Sequence, residues 1–142
     1  MPIHEHDLAF LFDIYDAGLK IQIATKRVKF YHFERDFMIK STVERQLEII
    51  GFASKKLSDE TRNTLCQIPW KDIIGLRNVI AHEYGEIKIE KIWYVAKFDV
   101  PVLLKELRKI KELKPYLKGF VIKVGIDNSF FHTKKLLHSL KK

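Results

Sequence analysis

From Leu8 through Leu11, Phe12, Tyr15, Leu19 and Ile23, apolar residues recur every three or four positions, and they do so again through Ile39, Val43, Leu47, Ile50, Ala53 and Leu57. That spacing lines one face of an α-helix, so the chain must hold two long amphipathic helices that bury their stripes against each other or against further helices. Between them, Lys29 to Arg35 is rich in aromatic and basic residues and reads as the connection between two antiparallel helices. Ser58-Asp59-Glu60-Thr61 closes the second stripe and suits the capping of a short following turn. Pro69 precedes a third pattern, Ile73, Leu76 and Ile80, which predicts a helix from Trp70 to Ala81 or His82 with Gly85 as its stop. Ile89, Ile92, Trp93 and Ala96 predict a short fourth helix. Asp99 is placed to cap a fifth, with Pro101 in its first turn, running through Leu104, Leu107 and Ile110 until Pro115. The fold class is therefore all-α, an antiparallel bundle of about five helices over residues 1–114. A basic C-terminal extension follows over 115–142, where Phe120 to Val124 fits a strand or a buried extended segment and Phe130 to Leu140 a last short helix.

A chain of 142 residues with 46% hydrophobic content has room for one compact domain and a core that needs no disulfide staples. Cys66 is the single cysteine, so no internal disulfide is possible; this fits a reducing compartment, and a buried, inert thiol is expected. No apolar run approaches the roughly 20 residues that span a bilayer. The start, with His4, Glu5, His6 and Asp7, is unlike a signal peptide, and its histidines match no common metal-ligand spacing. A cytoplasmic location, no membrane partner and no metal or other cofactor are the expectations.

The net charge of +8 is unevenly spread. Residues 1–99 hold 15 basic and 15 acidic side chains, whereas 100–142 hold 11 against 3. Such a local excess draws polyanions, although lysine runs also serve simply as solvated faces. Phe30, Tyr31, His32 and Phe33, beside Lys26, Arg27, Lys29 and Arg35, either stack on bases or pack the helix connection, packing being the simpler reading.

Chemistry concentrates in Ile68-Pro69-Trp70 through Arg77-Asn78 to His82-Glu83-Tyr84. On helical geometry Arg77 lies about 40° from Ile73 and about 60° from Ile80, on the apolar stripe. A guanidinium there requires an anion, either a structural carboxylate or a ligand phosphate. His82 lies about 140° further around an ideal helix. The two converge on one ligand only if the helix ends at Ala81 and His82 turns back, or if two protomers pair these segments across a two-fold axis. Arg, His and Tyr without an acidic cluster suit cleavage of a phosphodiester. Imidazole exchanges a proton with a ribose 2′-hydroxyl or the leaving oxygen, and the guanidinium holds the charge that develops on phosphate. Dependence on the 2′-hydroxyl selects RNA over DNA.

The run Arg77-x4-His82-x-Tyr84, with Ile68-Pro69-Trp70 before it and Ile92-Trp93 and Asp99-Val100-Pro101 after it, resembles the HepT-like branch of the HEPN ribonucleases. Val43-Glu44-Arg45-Gln46-Leu47-Glu48-Ile49-Ile50-Gly51 resembles the same branch, and the likeness spans about Asp7 to Leu113. The resemblance implies a homodimeric toxin of a two-gene, type VII-like toxin–antitoxin module, paired with a minimal nucleotidyltransferase antitoxin. It implies metal-independent cleavage of RNA, tRNA among the candidates, with Arg77 and His82 catalytic and Asn78 beside them in the substrate site. Tyr84 matches the tyrosine that the antitoxin modifies with AMP. After Ile50-Gly51 the family usually carries an acidic residue, where this chain has Phe52; Glu48, one turn earlier, is the candidate substitute. The alternative is a catalytically silent helical module that binds RNA or the nucleotidyltransferase without cutting.

Overall fold

The computed structural model describes residues 3–82 and 89–117. Helix α1 runs over Glu5–Thr25, α2 over Phe30–Arg35, α3 over Phe37–Lys56, α4 over Asp59–Thr64 and α5 over Trp70–His82. After the undescribed 83–88 come α6 over Ile89–Tyr94, a π-helical turn over Val95–Asp99, α7 over Val100–Arg108 and a single turn, α8, over Lys114–Leu117. No strand occurs among the described residues. The segments 120–124 and 130–140, for which a strand and a helix were expected, lie outside them, as does Gly85.

The two long stripes meet as their periodicity requires. Helices α1 and α3 form the largest helix–helix contact, α5 packs on α3 from one side and α7 on α1 from the other. Leu11, Ile14, Tyr15 and Ile21 from α1 and Val43, Leu47 and Ile50 from α3 are buried in one core with Leu104 and Leu107 of α7. Leu113 and Leu117 are also fully buried and extend this core beyond α7.

Four features depart from the sequence reading. The connection over 29–35 is itself helical, because Asp36 starts α3 by accepting from the amides of Met38 and Ile39, leaving Phe30–Arg35 as a separate short helix. Asp99 caps nothing: its backbone is α-helical and the chain continues through it from α6 into α7. Pro101 explains the π turn at this point. It has no amide hydrogen to give to the preceding turn, and the ladder slips by one residue so that the Val100 amide donates to the Val95 carbonyl. The fifth helix also stops early, at Arg108, where the amides of Lys109 and Ile110 bond to carbonyls three residues back and tighten the last turn. Cys66, expected to be buried, is exposed. It sits in the turn between α4 and α5, where Leu65 and Ile68 supply the inward residues.

Ser58 caps α4 as expected, accepting from the Thr61 amide. The cap is anchored by Asp7 of α1, a fully buried carboxylate. It accepts from the Ser58 amide at 3.1 Å, the Ser58 hydroxyl at 2.6 Å and the Thr61 hydroxyl at 2.5 Å. Burial works to raise the Asp7 pKa, but the hydrogen bonds from Ser58 and Thr61 outweigh it and hold the carboxyl below its ordinary value. A carboxyl depressed in the folded state contributes stability that is present above its unfolded pKa of about 3.9 and is lost as pH falls through the folded value. Asp7→Asn is therefore expected to lower unfolding free energy by about 2 kcal/mol at pH 7. Denaturant melts over pH 2–7 check this: the gap between parent and variant should close only below the ordinary carboxylate range.

Candidate active site

Helix α5 begins where the sequence places it. The Trp70 indole N–H donates to the Leu65 carbonyl at 3.1 Å and pins the first turn beneath the α4–α5 connection. Ile73, Leu76 and Ile80 then pack on the core from α5, and Arg77 lies among them, half-buried.

What seats Arg77 is Gly51 of α3. A Cβ added at Gly51 would stand 2.0 Å from the Arg77 Cβ and 2.6 Å from its Cγ. The α3 backbone is thus in direct contact with the arginine stem. Glycine in a helix interior costs about 1 kcal/mol relative to alanine, and close approach of another helix is a physical reason to keep it. Periodicity could not reveal this contact; the glycine that interrupts α3 was the available signal.

The guanidinium head is left nearly uncommitted. Its Nη1 donates to the Asn78 carboxamide oxygen at 3.3 Å, and no carboxylate among the described residues pairs with it. Of the two anions the sequence allowed, a structural carboxylate is absent among the described residues. Glu48, the candidate substitute for an acidic residue at position 52, pairs with Arg45 at 3.5 Å. Phe52 is 48% exposed, with the Lys56 ammonium 5.4 Å from its ring centre.

Helix α5 includes position 82, so in backbone register positions 77 and 82 stand about 140° apart on one continuous helix. Tyr84 lies outside the described residues. A groove of about 660 Å³ runs between the first half of α5 and the α6–α7 segment, with an apolar floor of Leu47, Ile68, Ile73 and Leu103. Asp99 borders it, its carboxyl pushed up by burial, but Arg77 and Asn78 do not line it. Among the described residues no group of His, Cys, Asp and Glu is arranged to hold a metal ion.

Comparison with known proteins decides the family. The model of the family described as "Ribonuclease HepT-like" matches residues 14–110. The chain belongs to the HepT-like ribonuclease family. It is 37% identical over 99 residues to the protein named "Putative RNase MJ1380" of Methanocaldococcus jannaschii, covering 70% of this chain and 91% of that one. It is 30% identical over 103 residues to "Probable ribonuclease HepT" of Thermococcus cleftensis, covering 72% and 94%. No solved structure matches the chain. The segment that the family model matches contains Gly51, Arg77, Asn78 and His82, whereas the basic extension over 115–142 lies wholly beyond it. No helix among the described residues is long and apolar enough to cross a membrane.

Proposed function

We propose that this HepT-like chain is a metal-independent endoribonuclease, the toxin of a two-gene, type VII-like toxin–antitoxin module, acting on RNA with tRNA as the leading candidate. The observation that carries this reading is Arg77: its stem is seated against Gly51 of α3, and its exposed guanidinium has no carboxylate partner among the described residues. Such a group is preorganised for phosphate. Arg77 stabilises the charge that develops on the non-bridging phosphate oxygens as the ribose 2′-oxygen attacks, and His82 takes the 2′-hydroxyl proton or gives one to the leaving oxygen. Asn78, bonded to the Arg77 head, orients it in the substrate site.

Helix α5 reaches position 82 before it ends, about 140° around from position 77 in backbone register. This favours a homodimer in which two copies of α5 complete a composite cleft. Tyr84, two residues on, is the site for AMP addition by a minimal nucleotidyltransferase antitoxin; a bulky anion there blocks the cleft sterically and electrostatically. A cytoplasmic location accords with this partner.

A second reading, the silent module that binds RNA or the nucleotidyltransferase without cutting, is favoured by Phe52 and by the commitment of Glu48 to Arg45. One experiment separates the two. End-labelled tRNA incubated with the protein in EDTA should yield discrete fragments on a denaturing gel, and His82→Ala should yield none. Equal cleavage by His82→Ala would remove the mechanism, and fragments from neither protein would favour the silent module.

A further inference from the structure

The aromatic and basic segment at the α2–α3 corner is divided by the fold into two faces. Phe33 is fully buried and Phe30 half-buried, and both pack on Trp93 of α6, with ring centres 5.0 and 6.2 Å away. These two rings account for the packing of the helix connection. Tyr31, His32 and Phe37 take no part in it and face solvent, Tyr31 at 52% and Phe37 at 73% exposure. Together with Arg35, Asp36 and Met38 they line a shallow cleft of about 490 Å³.

The cleft has the parts of a base-stacking site. The Tyr31 and His32 rings lie against each other with centres 3.8 Å apart, and the Arg35 guanidinium stands 5.7 Å from the Tyr31 ring centre. Phe37, on the far side of Asp36, offers a further π-face. Residues 26–40 hold five cations, Lys26, Arg27, Lys29, Arg35 and Lys40, against two carboxylates. Both carboxylates are engaged: Glu34 accepts from Arg35 at 2.9 Å, and Asp36 caps α3. Lys26, Arg27 and Lys29 have no carboxylate partner among the described residues. Arg27 sits at φ 58°, in the left-handed region that glycine adopts most easily.

We infer that the α2–α3 corner is a single-stranded RNA subsite, in which Tyr31, His32 and Phe37 stack unpaired bases while Arg27, Lys29 and Arg35 meet the phosphates. The excess of unpaired cations favours a polyanion over a second protein surface. From Phe37 to Gly51, helix α3 spans about 20 Å, so the corner would hold a strand several nucleotides away from Arg77. The inference rests on the ribonuclease reading for the identity of its ligand.

The test uses the full-length chain and a fluorescein-labelled, single-stranded 2′-O-methyl RNA, which cannot be cleaved through a 2′-hydroxyl. Affinity is read by anisotropy at several salt concentrations, with tRNA cleavage assayed in parallel. Tyr31→Leu with Phe37→Leu keeps the apolar area but removes the stacking faces. This variant should bind at least tenfold more weakly, with the parent's melting temperature, molar mass and salt slope. Lys29→Gln with Arg27→Gln should instead flatten the salt slope. Affinity within twofold of the parent's for the leucine variant would overturn the subsite, as would a parent that does not bind. A change in molar mass would make the corner an interface between protein chains. If the parent cleaves tRNA while the leucine variant binds normally, the subsite fails and the ribonuclease reading stands. If the parent cleaves nothing but the leucine variant loses affinity, the reverse holds.

Discussion

Gly51→Ala is expected to cost both stability and cleavage, although alanine is the better helix former. In a helix interior the exchange alone would gain about 1 kcal/mol. Here the new methyl would stand 2.0 Å from the Arg77 Cβ and 3.4 Å from its Cα. The near end of the arginine has no rotamer that clears this contact, so α5 must move away from α3 or α3 must bend. The net loss should be about 2 kcal/mol, which lowers the melting temperature of a chain this size by roughly 6 °C. The larger effect falls on activity: a shift of about 1 Å in a positioned catalytic group can cost around 10²-fold in rate. Gly75→Ala on the exposed face of α5 is the control, since a Cβ there meets nothing within 4 Å. It should raise the melting temperature. Calorimetry and single-turnover cleavage on the two variants measure both effects, and a Gly51→Ala protein with parental stability and rate would show that the seat of Arg77 is not confined.

Periodicity made α3 and α5 legible because each buries one stripe, whereas α1, packed by both α3 and α7, buries a wider arc that adds Ile14, Ala17 and Ile21 to its stripe. The α6–α7 junction was not legible for a specific reason. Asp99 followed by Pro101 reads as a helix start, and whether a chain breaks there depends on contacts made elsewhere. In the fold Ala96 and Val100 are both buried. The Lys97 ammonium also donates to the Thr25 carbonyl at the end of α1, at 3.0 Å, and holds the segment against it. These contacts keep the backbone helical across the proline by admitting a π turn. The connection over 29–35 failed for the opposite reason. A six-residue helix with one fully buried side chain, Phe33, is too short to show a period.

The site divides in the same way. The place of Arg77 among apolar residues followed from angles along its own helix, which depend only on sequence spacing. Its seat did not, because the contact is made by the absence of a side chain at Gly51, in another helix. The aromatic and basic composition near residue 30 was visible at once, but its division into Phe30 and Phe33 inward and Tyr31 and His32 outward needed the register of α2. The solvated N-terminal histidines gave no such ambiguity. His4 and His6 are exposed, and His4 faces Glu60 of α4 at 3.4 Å.

Arg77→Lys should separate the arginine's packing from its chemistry. Lysine shares the Cβ and Cγ that rest against Gly51, so the α3–α5 contact, and with it the melting temperature, should stay within about 1 °C of the parent's. The charge is also kept. What is lost is the planar fork that can give two parallel hydrogen bonds to a phosphate and follow its oxygens as charge builds on them. A compact ammonium on a mobile stem holds that geometry poorly, and loss of a single preorganised donor in a comparable role costs about 10²- to 10³-fold in rate. Cleavage by Arg77→Lys should therefore fall by at least about 10²-fold, with binding of an uncleavable strand changed far less. Measured beside Gly51→Ala, the pair gives opposite patterns: one variant disturbs the seat and keeps the fork, the other keeps the seat and removes the fork. Parental cleavage by Arg77→Lys would mean that only positive charge is needed at position 77, and the role of Arg77 would reduce to electrostatic attraction of the strand.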